Sequence, residues 1–109
     1  MKYVFVFLLV GLTFNSFGQN RYHIDETTLN DSGLALKSTN QGVTGVVYSS
    51  YENCHIKEEN RYKFGRLDGL SRFWYENGQL AYEGNYKNGG FISEKCWDED
   101  GNVIECPEY

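Results

Sequence analysis

The sequence places a thiol next to an imidazole at Cys54 and His55, the two groups that a cysteine nucleophile and its base require. Neighbouring residues on a strand point to opposite faces, so adjacency in sequence does not bring these groups into hydrogen-bond contact. No Asp or Asn is placed to orient His55, and His23 lies in a segment without a clear pattern. The sequence shows no Ser/His/Asp order, metal-ligand spacing or phosphate-binding loop, so we predict that the protein is not an enzyme.

The acidic stretch DEDGN, residues 98–102, suggests a calcium-binding loop. A helix–loop–helix calcium loop needs an oxygen ligand at its first position and a Glu at its twelfth. The register that puts Gly101 at the glycine of such a loop puts Cys96 and Pro107 at those two positions. We therefore predict an Asp-Gly turn at Asp100-Gly101 and neither a metal nor another cofactor.

Cys96 and Cys106 flank this turn, and the length of the loop between them decides whether they can pair. A two-residue loop at Asp100-Gly101 points the two sulfurs to opposite faces, whereas a three-residue loop over 100–102 places them opposite each other. The sequence leaves three alternatives open, which are a Cys96–Cys106 bridge, a bridge involving Cys54, and no bridge. One cysteine is left over in any case.

The first eighteen residues have the layout of a secretory signal peptide. Lys2 precedes an apolar run from Val4 to about Phe14, and small residues follow before a cleavage point between Gly18 and Gln19. The run is shorter than the roughly 20 residues of a spanning helix, which makes an uncleaved anchor the weaker alternative. We predict export, to the periplasm or outside the cell.

The chain is acidic, with a formal net charge of −5. The stretch after Ile92 holds six acidic side chains and one Lys. Such a surface is repelled by phosphate backbones and by anionic lipid headgroups. Nucleic acid and membranes are therefore poor partners, and a protein is the partner that we expect, although the sequence does not identify it or the oligomeric state.

Residues after the leader form short β-favouring runs separated by Asn-Gly, Asp-Gly or other glycine-containing turns. Aromatic residues are 17% of the chain, and there are twelve Gly and one Pro. This composition and punctuation are typical of antiparallel strands. The clearest hairpin is SRFWYENGQLAYEG, in which Asn77-Gly78 predicts a two-residue type I′ turn. That turn predicts four cross-strand pairs, which are Tyr75–Leu80, Phe73–Tyr82, Trp74–Ala81 and Arg72–Glu83.

The hairpin is the middle copy of a repeated unit. A shift of 24 residues aligns YEN at 51–53 with YEN at 75–77, and it also aligns the Tyr-Lys and Gly that follow. A shift of 23 aligns Asp100-Gly101 with the same turn and Trp97 with Trp74. Fixed periods of this length mark repeat architectures whose units stack on their neighbours.

Three repeats, over about 42–65, 66–89 and 90–109, make up the predicted fold. Residues 19–41 would form a lead-in that caps the first repeat, with a hairpin around Asn30 to Gly33. Cys54 stands at the turn position that Gly78 takes in the second copy, where a positive φ strains any side chain. We therefore expect the first turn to be longer or distorted.

The pattern Gly-(five residues)-YENG-x-Leu followed by Tyr-Lys-x-Gly resembles the bacterial MORN-repeat variant, whose members are often described as YwqK-type antitoxins. The resemblance covers about 33–105, although the third copy lacks the Tyr-Lys-x-Gly tail. It implies an all-β fold, an elongated antiparallel sheet of stacked β-hairpins. For function, it implies only an antitoxin-like alternative by fold-level analogy.

In the predicted register one face of the sheet carries an apolar stripe, formed by Trp74, Ala81, Trp97 and Ile104. Aromatic stripes of this kind on a thin sheet often mark a contact site, although cover by the N-terminal segment would make them core instead. We predict an exported, non-catalytic module for protein interaction or scaffolding. The alternative is an antitoxin or immunity-type protein that neutralises a toxin by direct binding.

Overall fold

The computed structural model describes residues 20–108, and the predicted signal peptide lies outside them. The described part contains nine strands and a short 3₁₀ turn at Ile24–Glu26. The strands are β1 (Arg21–His23), β2 (Thr27–Asn30), β3 (Gly33–Leu36), β4 (Gly45–Ser50), β5 (Ile56–Lys63), β6 (Arg66–Trp74), β7 (Leu80–Lys87), β8 (Gly90–Trp97) and β9 (Val103–Ile104). Within residues 20–108, no helix reaches the length and apolarity that a membrane crossing requires.

Seven strands form one sheet in the order β1-β4-β5-β6-β7-β8-β9. From β4 onward each strand pairs antiparallel with the next in the chain, and β1 adds to β4 in parallel. The all-β fold of hairpin-linked strands is therefore confirmed. With strands about 4.8 Å apart, the seven span roughly 30 Å.

The N-terminal part supplies a second layer, and the apolar core lies there. Strands β2 and β3 form a separate hairpin that turns at Asn30–Gly33, as predicted. Backbone hydrogen bonds attach this hairpin to the sheet, and in one of them the N–H of Leu34 donates to Gly65 O at 3.0 Å. Ala35 and Val43 are fully buried at this junction. From β6 onward much of the sheet is a single layer that leaves large apolar side chains exposed, among them Phe73, Phe91, Ile92, Val103 and Ile104.

All three repeat loops have the same conformation, and it is not the predicted two-residue turn. In the second, the N–H of Gly78 donates to Tyr75 O and the N–H of Tyr75 donates to Gln79 O, both at 2.9 Å. Gly78 has φ +89°, whereas Asn77 is not in the left-handed region. The Asn77 side chain accepts from the N–H of Gln79 instead. This is a three-residue loop, a turn closed by one left-handed residue.

The longer loop shifts the register next to the turn. Phe73 pairs with Tyr82 and Arg72 with Glu83, as predicted, but Trp74 pairs with Leu80. Ala81 is the extra residue of a β-bulge between these pairs, and the predicted Tyr75–Leu80 and Trp74–Ala81 pairs are wrong.

The first and third loops follow the same plan. Cys54 has φ +73° in a three-residue loop that matches the second one. The first turn is thus longer than two residues, as expected, but the other copies share this length and the cysteine is not its cause. In the third hairpin Trp97 pairs with Val103 and Cys96 with Ile104. Cys96 and Cys106 are joined by a disulfide. The loop between them has three residues, but it covers 99–101 and not the predicted 100–102.

Candidate interaction surface

Paired residues of an antiparallel ladder project to the same side, so the pairing sorts the side chains into two faces. Trp74 and Leu80 share one face, as do Trp97 and Val103. A cleft lined by Ile56 and Trp74 extends this row to the first repeat. We call this side the tryptophan face. The opposite side, the disulfide face, carries Phe73, Tyr82, Cys96 and Ile104.

The predicted stripe is therefore only partly on one face. Trp74 and Trp97 lie together on the tryptophan face as predicted, and both are half-buried. Ala81 sits at the bulge, and Ile104 projects from the disulfide face because its partner is Cys96. Val103 takes the place that we gave to Ile104, and 64% of its surface is exposed.

Sequence reasoning missed Leu80, Val103 and Ile56 as members of the tryptophan face. The signal was present, because the repeat alignment places these three residues at one equivalent position. An error of one residue in loop length moved them to the wrong side, since side chains alternate along a strand with a period of two.

A charged row runs beside the tryptophan row on the same face. It crosses four neighbouring strands through consecutive pairs, in the order Glu59, Arg72, Glu83 and Lys95. The signs alternate, and Arg72 Nε lies 2.8 Å from Glu83 Oε2. Lys95 Nζ also lies 5.6 Å from the centre of the Trp97 ring, within cation–π range. An apolar row bordered by polar groups is the usual composition of a protein contact surface.

A cleft of about 360 Å³ opens on this face between the first and second hairpins. Trp74 and Ile56 supply apolar surface, and His55, Glu59 and Gly78 complete the lining. His55 Nδ1 lies 2.8 Å from Glu76 O. A carbonyl oxygen can only accept, so Nδ1 carries the proton and Nε2 of the neutral ring remains an acceptor. Nδ1 of His55 thus takes part in a structural hydrogen bond, so this nitrogen does not pair with the Cys54 thiol.

Side chains of the YEN motif hold each repeat to the next. The hydroxyl of Tyr51 donates to Trp74 O at 2.7 Å, and that of Tyr75 donates to Trp97 O at 2.8 Å. Each receiving carbonyl belongs to a tryptophan of the following repeat. We call these inter-repeat hydrogen bonds staples, and the Asn residues of the motif make further ones.

The Asn of the motif makes the second staple of each junction. Asn53 Nδ2 donates to Glu76 O at 3.2 Å, and Asn77 Nδ2 donates to Glu99 O at 3.1 Å. The staples position the tryptophan row because both tryptophan carbonyls are anchored from the preceding repeat. Local turn residues therefore act together with strand pairing to space the surface residues of successive repeats.

The disulfide face carries a cluster of aromatic side chains that is partly exposed. The rings of Phe73 and Tyr82 lie 5.4 Å apart, and the hydroxyls of Tyr82 and Tyr86 are 3.0 Å apart. Burial, and then the hydrogen bond to Tyr86, raises the pKa of Tyr82 above its ordinary value. The Tyr82 ring lies against Gly84, where a Cβ would collide with it. These side chains pack against one another on the side of the sheet opposite the tryptophan face.

The acidic turn organises its own backbone. Asp98 Oδ1 accepts from the N–H groups of Asp100 and Asn102, each at 2.9 Å. These bonds favour the carboxylate, and the one from Asn102 is the largest cause of a lowered Asp98 pKa. Over residues 20–108, no three His, Cys, Asp or Glu side chains are grouped so that they could hold a metal ion.

Comparison with known proteins identifies the middle unit. Residues 67–88 match the family model described as the MORN repeat variant. The segment contains nearly all of the second hairpin and its YENG loop. No curated protein and no solved structure shows significant similarity to the chain. The resemblance noted in the sequence is confirmed over the matched residues.

Proposed function

We propose that this chain, which carries the MORN repeat variant in its second unit, is an exported, non-catalytic module that binds another protein through its tryptophan face. Repeats of this kind generally serve as binding or scaffold units, and no enzyme family is evident. The observation that carries the proposal is the row of Trp74, Leu80, Trp97 and Val103 on one side of a single-layer sheet. Tryptophan is strongly enriched at the residues that dominate binding energy in protein interfaces.

The disulfide supports an exported location. Cys96 and Cys106 are bridged, and such bridges persist in oxidising compartments and are rare in the cytosol. We propose the periplasm or the extracellular space. A toxin as the bound partner, in the manner of an immunity protein, is the special case that identification of the partner would test.

The test is capture of partners from the envelope fraction by the purified protein and by variants. We expect the double change Trp74→Ser and Trp97→Ser to remove a specific partner while the midpoint of thermal unfolding stays close to that of the wild type. Phe91→Ser is the matched control, because Phe91 is 58% exposed but pairs with Tyr86 on the other face. Loss of capture with Phe91→Ser alone, or unfolding of the tryptophan variant, would contradict the proposal.

A further inference from the structure

A second pocket lies on the tryptophan face, next to the Trp74 cleft. It has a volume of about 190 Å³ and is lined by Arg21, Val46, Glu59, Arg61, Leu70 and Arg72. We propose that the two cavities together bind an extended segment of a partner protein with an apolar side chain at one position and an Asp or Glu two positions away. This inference rests on the proposed function, because it specifies the chemistry of the bound partner.

We call this second cavity the arginine pocket. It keeps a net positive charge after its ion pairs are counted. Arg21 Nη2 lies 2.8 Å from Glu59 Oε2, and Arg72 Nε lies 2.8 Å from Glu83 Oε2. Three guanidinium groups thus face two carboxylates. Arg61 makes no ion pair within residues 20–108.

The donors that remain match a carboxylate. A guanidinium has five N–H groups, and each of the two ion pairs uses one nitrogen, Nη2 of Arg21 and Nε of Arg72. The terminal nitrogens of Arg72 and the whole guanidinium of Arg61 therefore remain for a ligand. Arginine holds carboxylates through two parallel hydrogen bonds, and Val46 and Leu70 supply the apolar part of the lining.

The two cavities are adjacent, because Glu59 lines both. Arg72 and Trp74 are two residues apart on β6 and project from the same face. Residues two apart on a strand are separated by about 7 Å. The same distance separates alternate side chains of any extended peptide, so a segment lying along β6 would present one side chain to each cavity. The pattern that fits is apolar, any residue, acidic.

The charge around the pocket favours a single carboxylate over a polyanion. Glu59 and Glu83 border it on the same face, and the C-terminal part of the chain is strongly acidic. An extended array of phosphates would be repelled by these groups, whereas one carboxylate can sit beside Arg61, which is paired with neither of them. An acidic protein segment is therefore the ligand to test, and an anionic membrane is the alternative outcome.

The test uses two capped tripeptides, acetyl-Leu-Ser-Asp-amide and its neutral counterpart acetyl-Leu-Ser-Asn-amide, titrated into the purified protein and followed by NMR shifts. We expect the acidic peptide to bind at least fivefold more tightly at low salt. Arg61→Gln should abolish that preference. Arg66→Gln is the matched control, since Arg66 is exposed on β6 outside the pocket and its loss should leave the preference intact. Trp74→Ser should weaken both peptides.

Equal binding of the two peptides, an acid preference that survives Arg61→Gln, or no binding at millimolar peptide would overturn the two-part site. It would also be overturned if phosphatidylglycerol vesicles, but not the acidic peptide, bound in an Arg61-dependent way. If Trp74→Ser and Trp97→Ser remove the captured partner while Arg61→Gln does not affect capture, the proposed function stands and this inference fails. If no variant affects capture, the proposed function itself fails.

Discussion

At the scale of single residues, the last residue of each three-residue repeat loop decides local strain. Cys54, Gly78 and Gly101 have φ values of +73°, +89° and +92°. A left-handed backbone costs a residue with a side chain roughly 1–2 kcal/mol, whereas glycine adopts it freely. The first loop keeps the shape of the others and retains this strain at Cys54.

We predict that Cys54→Gly raises the free energy of unfolding by about 0.5–1 kcal/mol, which is the strain relieved less the added flexibility of glycine in the unfolded chain. Urea denaturation measures the change. Cys54→Ser removes the exposed thiol but keeps the strain, and should alter stability by less. If the two variants are equally stable, strain at this position is not the cause.

At the scale of elements, the repeats are joined by side chains of the turns as well as by strand pairing. Asn77 has two roles, because its Oδ1 accepts from Gln79 N–H and its Nδ2 donates to Glu99 O. Asp100 takes the equivalent place in the last loop. Its side chain makes no hydrogen bond within residues 20–108, and the carboxylate of Asp98 closes that loop instead. The last repeat therefore differs from the others in how its turn is held.

We predict that Asn77→Ala lowers the free energy of unfolding by about 1 kcal/mol, since two exposed hydrogen bonds of modest net value are lost. Asp100→Ala provides the matched control, because its side chain makes no hydrogen bond within the described residues. It should leave stability nearly unchanged. Chemical denaturation of both variants gives the comparison, and equal losses would show that the inter-repeat staple contributes nothing.

At the scale of the whole molecule, the two ends of the sheet are held by different means. The N-terminal end has a second layer with Ala35, Val43 and Val47 buried. The C-terminal end has a two-residue edge strand, and the disulfide there encloses the last loop. Cys96 is only 4% exposed, so the bridge also fills part of the disulfide face. A single-layer sheet has little other apolar burial to hold its last strand.

We predict that replacing both Cys96 and Cys106 by Ser lowers the free energy of unfolding by about 2–3 kcal/mol, because the bridge restricts the unfolded chain over a separation of 10 residues. The midpoint of thermal unfolding should fall accordingly, and the wild type in a reducing agent should behave like the variant. Under oxidising conditions one thiol per chain, that of Cys54, should react with a maleimide. An unchanged midpoint would show that the bridge does not stabilise the fold.

The sequence by itself determined the all-β class, the repeat period and the places of the turns. These features depend on local chemistry, because Asn-Gly and Asp-Gly tolerate turn conformations and short β-branched and aromatic runs favour strands. It also predicted correctly that Trp74 and Trp97 share a face, since both occupy the same position in the repeat.

Only the tertiary structure decided the register at the turns, and with it the membership of the tryptophan face. Two-residue and three-residue loops fit the same sequence. The longer loop is accompanied by a hydrogen bond that Asn77 accepts from Gln79 N–H and by one that it donates to Glu99 O in the next repeat. The arginine pocket was equally beyond sequence reasoning. Its residues come from β1, β4, β5 and β6, and the parallel pairing of β1 with β4 that brings Arg21 to Glu59 has no local signature.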